Sequence, residues 1–155
     1  MKKVALIGAS IPNLYASRLL MKKGIVSEIF EMKENMNNDA IRLMSRDLLD
    51  RFEFNGDNKG YVKLTDLKNH LAVGLPIRFN SIVNMDRNGD LIVNSEKIDC
   101  DVAIMNTGQK RVDNIKDNLM IYNYIVDDEK DIYAGLSLNK GIEKVEKIVS
   151  KINIS

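Results

Sequence analysis

The stretch Lys3-Val4-Ala5-Leu6-Ile7-Gly8-Ala9-Ser10-Ile11-Pro12-Asn13-Leu14-Tyr15-Ala16, followed by Ile29-Phe30-Glu31, decides how this chain reads. The apolar run 4–7 meets a glycine, as a buried parallel strand does when it ends in a turn. Pro12 suits the first turn of a helix, where its missing N–H costs nothing. That helix carries Leu14, Ala16, Leu19 and Leu20 and stops at Gly24. Lys22 and Lys23 just before the glycine suit the negative end of a helix. Residues 25–30 form a second strand, with Glu31 at its carboxyl end. Strand, glycine turn, helix, strand and acid are the layout of a dinucleotide-binding βαβ unit. Of the three glycines in the pattern G-x-G-x-x-G only Gly8 stands; Ser10 and Asn13 hold the other two places.

Beyond Asn37 the pattern changes. Ile41, Met44, Leu48 and Phe52 recur at three- and four-residue spacing, which predicts an amphipathic helix capped by Asp39. Residues 55–60 read as a polar loop, and Thr65 or Asp66 as the cap of a short helix through Leu67 and Leu71, ending near Gly74-Leu75-Pro76. Residues 77–83 read as a strand. Asn88-Gly89, between 81–85 and 91–93, predicts a tight antiparallel hairpin. An apolar run at 98–105 leads into Asn106-Thr107-Gly108; a segment at 118–126 and a helix from about 140 to 152 follow. Alternating strands and helices argue for a parallel sheet, and the hairpin adds a small antiparallel layer. The expected fold is α/β: one three-layer ββα domain over residues 1–155, with helices on one side of the sheet and a meander on the other.

The totals narrow the function. A chain of 155 residues, 45% hydrophobic and 29% charged, is long enough to bury a core without staples. Lys plus Arg number 23 against 22 Asp plus Glu, a balance that announces no basic face for nucleic acid. Cys100 is the one cysteine, which excludes an internal disulfide and a C-x-x-C redox pair and fits a reducing cytoplasm. It is expected in a strand, buried and inert. The apolar run 4–7 is too short for a signal peptide or a membrane span. His70 is the one histidine, without a triad around it, and reads as a surface or packing residue. The eight methionines read as core filler, and neither a metal cluster nor a paired-carboxylate arrangement stands out.

Three stretches together resemble the FAD-binding domain of the two-dinucleotide-binding-domain flavoproteins, the group of thioredoxin and glutathione reductases. Residues 4–31 are similar to the family's opening strand, glycine turn, helix and acidic second strand. Residues 77–108 are similar to its strand, meander and terminal A-T-G motif, here Asn106-Thr107-Gly108. Ile132-Tyr133-Ala134-Gly135 is similar to its closing Y-A-x-G-D segment. The departures matter as well. Only residues 109–131 stand where the family inserts its NAD(P)H-binding domain, too few for a domain. Leu136 replaces the closing aspartate, and beyond Lys33 the basic residue and paired glycines expected after the acid are not evident.

The resemblance implies FAD, with NAD as the alternative, held by Gly8, Ala9, Ser10, Asn13, Glu31, Val83, Thr107, Gly108 and Gly135. Gly8 offers its backbone where a pyrophosphate approaches a helix N-terminus; otherwise it is a turn glycine. Ser10 places a Cβ where glycine lets the backbone come close, which crowds a ligand, although its hydroxyl can donate to a phosphate oxygen. Asn13 reads as a helix-start residue bonded to local backbone. Glu31 is placed to accept from both ribose hydroxyls and disfavours a 2′-phosphate; alone it is a solvated acid. By resemblance Val83 offers backbone to the adenine, while Thr107 and Gly108 lie beside the same crevice. The expected function is binding of an adenine dinucleotide in a minimal flavin-dependent oxidoreductase, with a homodimer or partner subunit covering the flavin. The alternatives are a non-catalytic nucleotide- or partner-binding remnant and one subunit of a split oxidoreductase.

Overall fold

The computed structural model describes residues 3–57, 59–88, 90–105, 115–116, 119–123 and 135–152. In chain order the elements are β1 (Lys3–Ile7), α1 (Ile11–Lys22), β2 (Val26–Phe30), β3 (Ile41–Leu43), α2 (Arg46–Arg51), β4 (Tyr61–Lys63) and α3 (Leu64–Ala72). There follow β5 (Ile77–Arg78), β6 (Val83–Met85), β7 (Leu91–Val93), β8 (Glu96–Ile98), β9 (Val102–Met105), β10 (Ile115–Lys116), β11 (Leu119–Asn123) and α4 (Gly135–Lys151).

The two-residue period of β1 sets the layers. Val4 and Leu6 enter the larger hydrophobic core, whereas Ala5 and Ile7 enter a smaller one on the opposite face. The neighbouring strands obey the same alternation: Ile29 on β2 and Ile104 on β9 join the larger core, and Phe30 joins the smaller. The sheet runs β10-β11-β9-β1-β2-β5. Its strands are parallel except β10, which pairs antiparallel with β11. Because both faces are covered, the central strands are near-continuous apolar runs.

The helical layer supplies the larger core. On α4, Leu138, Ile142, Val145 and Val149 recur at three- and four-residue spacing, and all are buried. Helix α1 packs on α4 and buries Ile11, Leu14, Ala16 and Leu20. At the interface of α1 with β2 the hydroxyls of Ser17 and Ser27 hydrogen-bond to each other at 2.9 Å, so two buried polar groups satisfy one another. On the other face the meander β6-β7-β8 lays Leu91 and Val93 over Ala5, Ile7 and Phe30. The expected three layers are therefore present.

Several boundaries differ from the sequence expectation, each for a local reason. The helix expected across Ile41, Met44, Leu48 and Phe52 is instead β3 followed by α2, capped by the Ser45 hydroxyl on Leu48 N–H rather than by Asp39. Ile41, Arg42 and Leu43 pair antiparallel with Lys63, Val62 and Tyr61, and that ribbon overrides the helical spacing. Thr65 and Asp66 do not cap α3, which begins at Leu64; the Thr65 hydroxyl bonds the backbone of Asn38 instead. The strand expected at 77–83 divides: Ile77 and Arg78 pair with β2, Asn80 turns the chain at φ 56°, and Val83 opens the meander. The run at 98–105 also divides, because Asp101 leaves the ladder to bond Lys3, so Cys100 sits in a link rather than a strand. Helix α4 begins five residues earlier than the expected residue 140, at Gly135. Met21 and Met32 are exposed rather than core filler. The expected antiparallel hairpin is β6–β7, with Val83 opposite Val93 and Met85 opposite Leu91; Gly89 lies outside the described residues.

Candidate functional site

Helix α1 connects β1 to its neighbour β2 on one side, and β9 flanks β1 on the other. The crevice at the carboxyl ends of such strands is where parallel α/β sheets take ligands. Here that end is the turn of Gly8, Ala9 and Ser10.

Gly8 adopts φ 99°, a conformation that L-residues resist, and its N–H donates to Phe30 O at 2.8 Å. Ser10 has φ −76° and ψ 162°, ordinary extended backbone, and its hydroxyl accepts from Asn13 N–H as the N-cap of α1. Asn13 is fully buried, and its Nδ2 donates to Ile7 O at 2.9 Å and to Gly8 O at 2.8 Å. Neither replaced glycine is therefore needed for the backbone path. Asn13 faces inward, as its reading as a helix-start residue bonded to local backbone requires.

Glu31 closes the arrangement. Its Oε1 accepts Ala9 N–H at 2.8 Å and its Oε2 accepts Lys33 N–H at 2.8 Å. The acid that ends β2 and the turn that ends β1 are thus tied together across 22 residues of sequence. The first turn of α1 itself carries no acidic residue, while the Glu31 carboxylate reaches the turn before it, at Ala9 N–H.

The segment after β5 is fastened to the same corner. Glu31 N–H donates to Arg78 O, Ser81 N–H to Glu31 O and Asn80 N–H to Lys33 O, all at 2.9–3.0 Å. Ser81 is buried, with its hydroxyl on Arg78 O at 2.8 Å. The Arg78 guanidinium lies 5.3 Å above the Phe30 ring and 3.3 Å from Glu28. Arg78 and Ser81 escaped the sequence reading, because nothing in their immediate neighbours marks a crossover between sheets. Val83 starts β6 two residues past Ser81 and packs on the smaller core. Gly135 opens α4, while Thr107 and Gly108 lie outside the described residues.

The remaining candidates for chemistry are occupied elsewhere. His70 Nε2 is 2.8 Å from Phe52 O, and its ring meets Phe54 edge-on at 5.2 Å. Burial, then the charges of Asp101, Asp99 and Asp90, push the Cys100 thiol up to about 11. Among the described residues no group of three or more His, Cys, Asp or Glu side chains could hold a metal ion, and no helix is long and apolar enough to cross a membrane.

No family model and no curated protein sequence matches this chain. Solved structures do match in fold. CtdE in complex with FAD aligns with a TM-score of 0.57 at 18% identity, over 70% of this chain and 38% of its own. A variant of 2-methyl-3-hydroxypyridine-5-carboxylic acid oxygenase gives 0.54 at 15% identity, over 67% of this chain and 39% of its own. A protein described as an FAD-containing monooxygenase, from Photorhabdus luminescens subsp. laumondii TTO1, gives 0.52 at 19% identity, over 70% and 40%. This chain spans about two fifths of the length of these structures. At such identities the likeness is one of fold. The chain thus has the three-layer α/β fold that these FAD-associated proteins share.

Proposed function

We propose that the corner formed by Gly8, Ala9, Ser10 and Glu31 binds the ADP portion of FAD. The observation that carries this reading is the bond from Ala9 N–H to Glu31 Oε1, which brings the glycine turn and the ribose-type acid into one site. The residues fit such a group. A carboxylate offers about four lone-pair positions, so Glu31 retains acceptor capacity for ribose hydroxyls beside its two N–H donors. The same charge opposes a 2′-phosphate. The positive end of α1, free of acids in its first turn, suits a pyrophosphate. The fold shared with CtdE, solved in complex with FAD, supports FAD over NAD.

When bound, a flavin supplies the electron-transfer chemistry, and this chain's residues place it. In this reading the protein is a flavoprotein-like oxidoreductase module whose flavin is covered by a second copy or another subunit. A second reading, a nucleotide-binding module without turnover, is favoured by the Cys100 thiol, which burial pushes up to about 11 and so keeps protonated rather than nucleophilic. The test is the visible spectrum of freshly purified protein, with mass spectrometry of what heat releases. A flavin band with FAD released supports the proposal. A colourless protein that binds none of FAD, NAD and ADP in titration overturns it. Turnover with NADH then separates the oxidoreductase from the binding module.

A further inference from the structure

We infer that Asn13 is a positioning residue that prepares the turn for phosphate, an assignment that rests on the nucleotide-binding reading above. The carbonyls of Ile7 and Gly8 end β1 beside the N-terminus of α1. Both accept from the one Asn13 carboxamide, at 2.9 and 2.8 Å, and Asn13 is fully buried. Carbonyl oxygens carry partial negative charge, which opposes an approaching anion. Donation from Nδ2 offsets that charge, so the two carbonyls oppose the positive end of the helix less.

The same residue fixes geometry. Its side chain holds the two residues before Ala9, its own N–H holds the Ser10 hydroxyl, and Ala9 is held in turn by Glu31. The turn is therefore preorganised from three sides, and a polyphosphate meets it without first ordering it. Asn13 thus substitutes for the missing third glycine by a different device: polar ties from within instead of closer packing. Restoring glycine at position 13 removes the two side-chain ties, keeps the backbone N–H on the Ser10 hydroxyl, and opens nothing, since the side chain already points inward.

The experiment compares the affinities of ADP and adenosine by calorimetry in the wild type and in Asn13→Gly. Adenosine reports the Glu31 end of the site; ADP adds the phosphates. Asn13→Gly is expected to lower ADP affinity by about tenfold and adenosine affinity by no more than about twofold, for the loss of two hydrogen bonds that serve only the phosphate side. Ser17→Ala, which removes a buried bond of the same helix away from the turn, is expected to leave the ratio of the two affinities unchanged. If Asn13→Gly does not fold, Asn13→Ser, which retains one short donor, is expected to shift the ratio in the same direction. Equal loss for both ligands, no loss, or tighter ADP binding in the variant overturns the role of Asn13. A wild type that binds adenosine and ADP equally also overturns it while leaving Glu31 in place. A wild type that binds neither overturns the nucleotide reading itself.

Discussion

Two residues of the site corner illustrate how one position can be read from spacing while another is not. Glu31 was legible because an acid closing the second strand of a βαβ unit has a chemical reason to be there. Its bonds to Ala9 and Lys33 add a structural duty that spacing does not reveal. Glu31→Ala is expected to weaken ADP binding by about 1–3 kcal/mol, the loss of a charge-assisted contact, measured by calorimetry. Unchanged affinity removes Glu31 from the site. Asn13 and Ser10 were legible as departures from a glycine pattern, but their effect on the backbone was not, since dihedral angles decide it. Cys100 yields a prediction with a definite sign. Its thiol is pushed up to about 11 in the folded protein, above the ordinary value of 9.0, chiefly by burial. Folding therefore favours the protonated form. The associated stability is complete below about pH 9 and is lost as pH rises toward 11. Denaturant midpoints at pH 8 and pH 10.5 are expected to fall in the wild type and to fall less in Cys100→Ala. Alkylation of the native thiol at pH 8 is expected to be slow.

At the scale of elements, strongly periodic segments were legible and short ones were not. Helices α1 and α4 repeat their apolar positions over several turns, and nothing local competes with that pattern. The 41–52 segment shows a helical spacing throughout, yet only Arg46–Arg51 is helical and Ile41–Leu43 is a strand. What settles it is Tyr61–Lys63, a partner distant in sequence. The ends of helices hold one interaction that matters energetically. Lys23, the C-cap of α1, sends its Nζ to Val149 O at 2.8 Å and Ile152 O at 2.6 Å, at the negative end of α4. Lys23→Ala is expected to destabilise the protein by about 1–3 kcal/mol, because it removes charged hydrogen bonds to partly buried carbonyls. Urea unfolding measures it. By contrast, the exposed pair of Arg51 and Glu146, 2.7 Å apart, joins α2 to α4, and Arg51→Ala is expected to cost less than about 1 kcal/mol in the same assay.

The whole molecule is organised by which face of each strand a side chain takes. That organisation was legible from the apolar runs and the Asn-Gly hairpin, which together called for three layers. Less legible was the route between layers, where the chain leaves β5, turns at Asn80 and enters the meander. Phe30 anchors the smaller core at this crossover, 1% exposed and covered by Arg78. Phe30→Ala is expected to cost about 3–5 kcal/mol by leaving a cavity between sheet and meander, read as a lower denaturant midpoint. A cost below about 1 kcal/mol would mean that the meander rests on the sheet without being held by it.

The turn after β1 has a consequence for how such sites persist in drifting sequences. One position in it, Gly8 at φ 99°, carries a conformation hostile to side chains; Ser10 and Asn13 have backbone angles that any residue adopts, and Asn13 is constrained by its side-chain bonds instead. The backbone path therefore demands glycine at Gly8 alone, and the other two glycine places of the pattern can be held by residues whose polar groups find partners. A search pattern written around three glycines passes over such a chain. One written around a lone glycine and an acid 23 positions later finds it, together with many chains that share the spacing by chance.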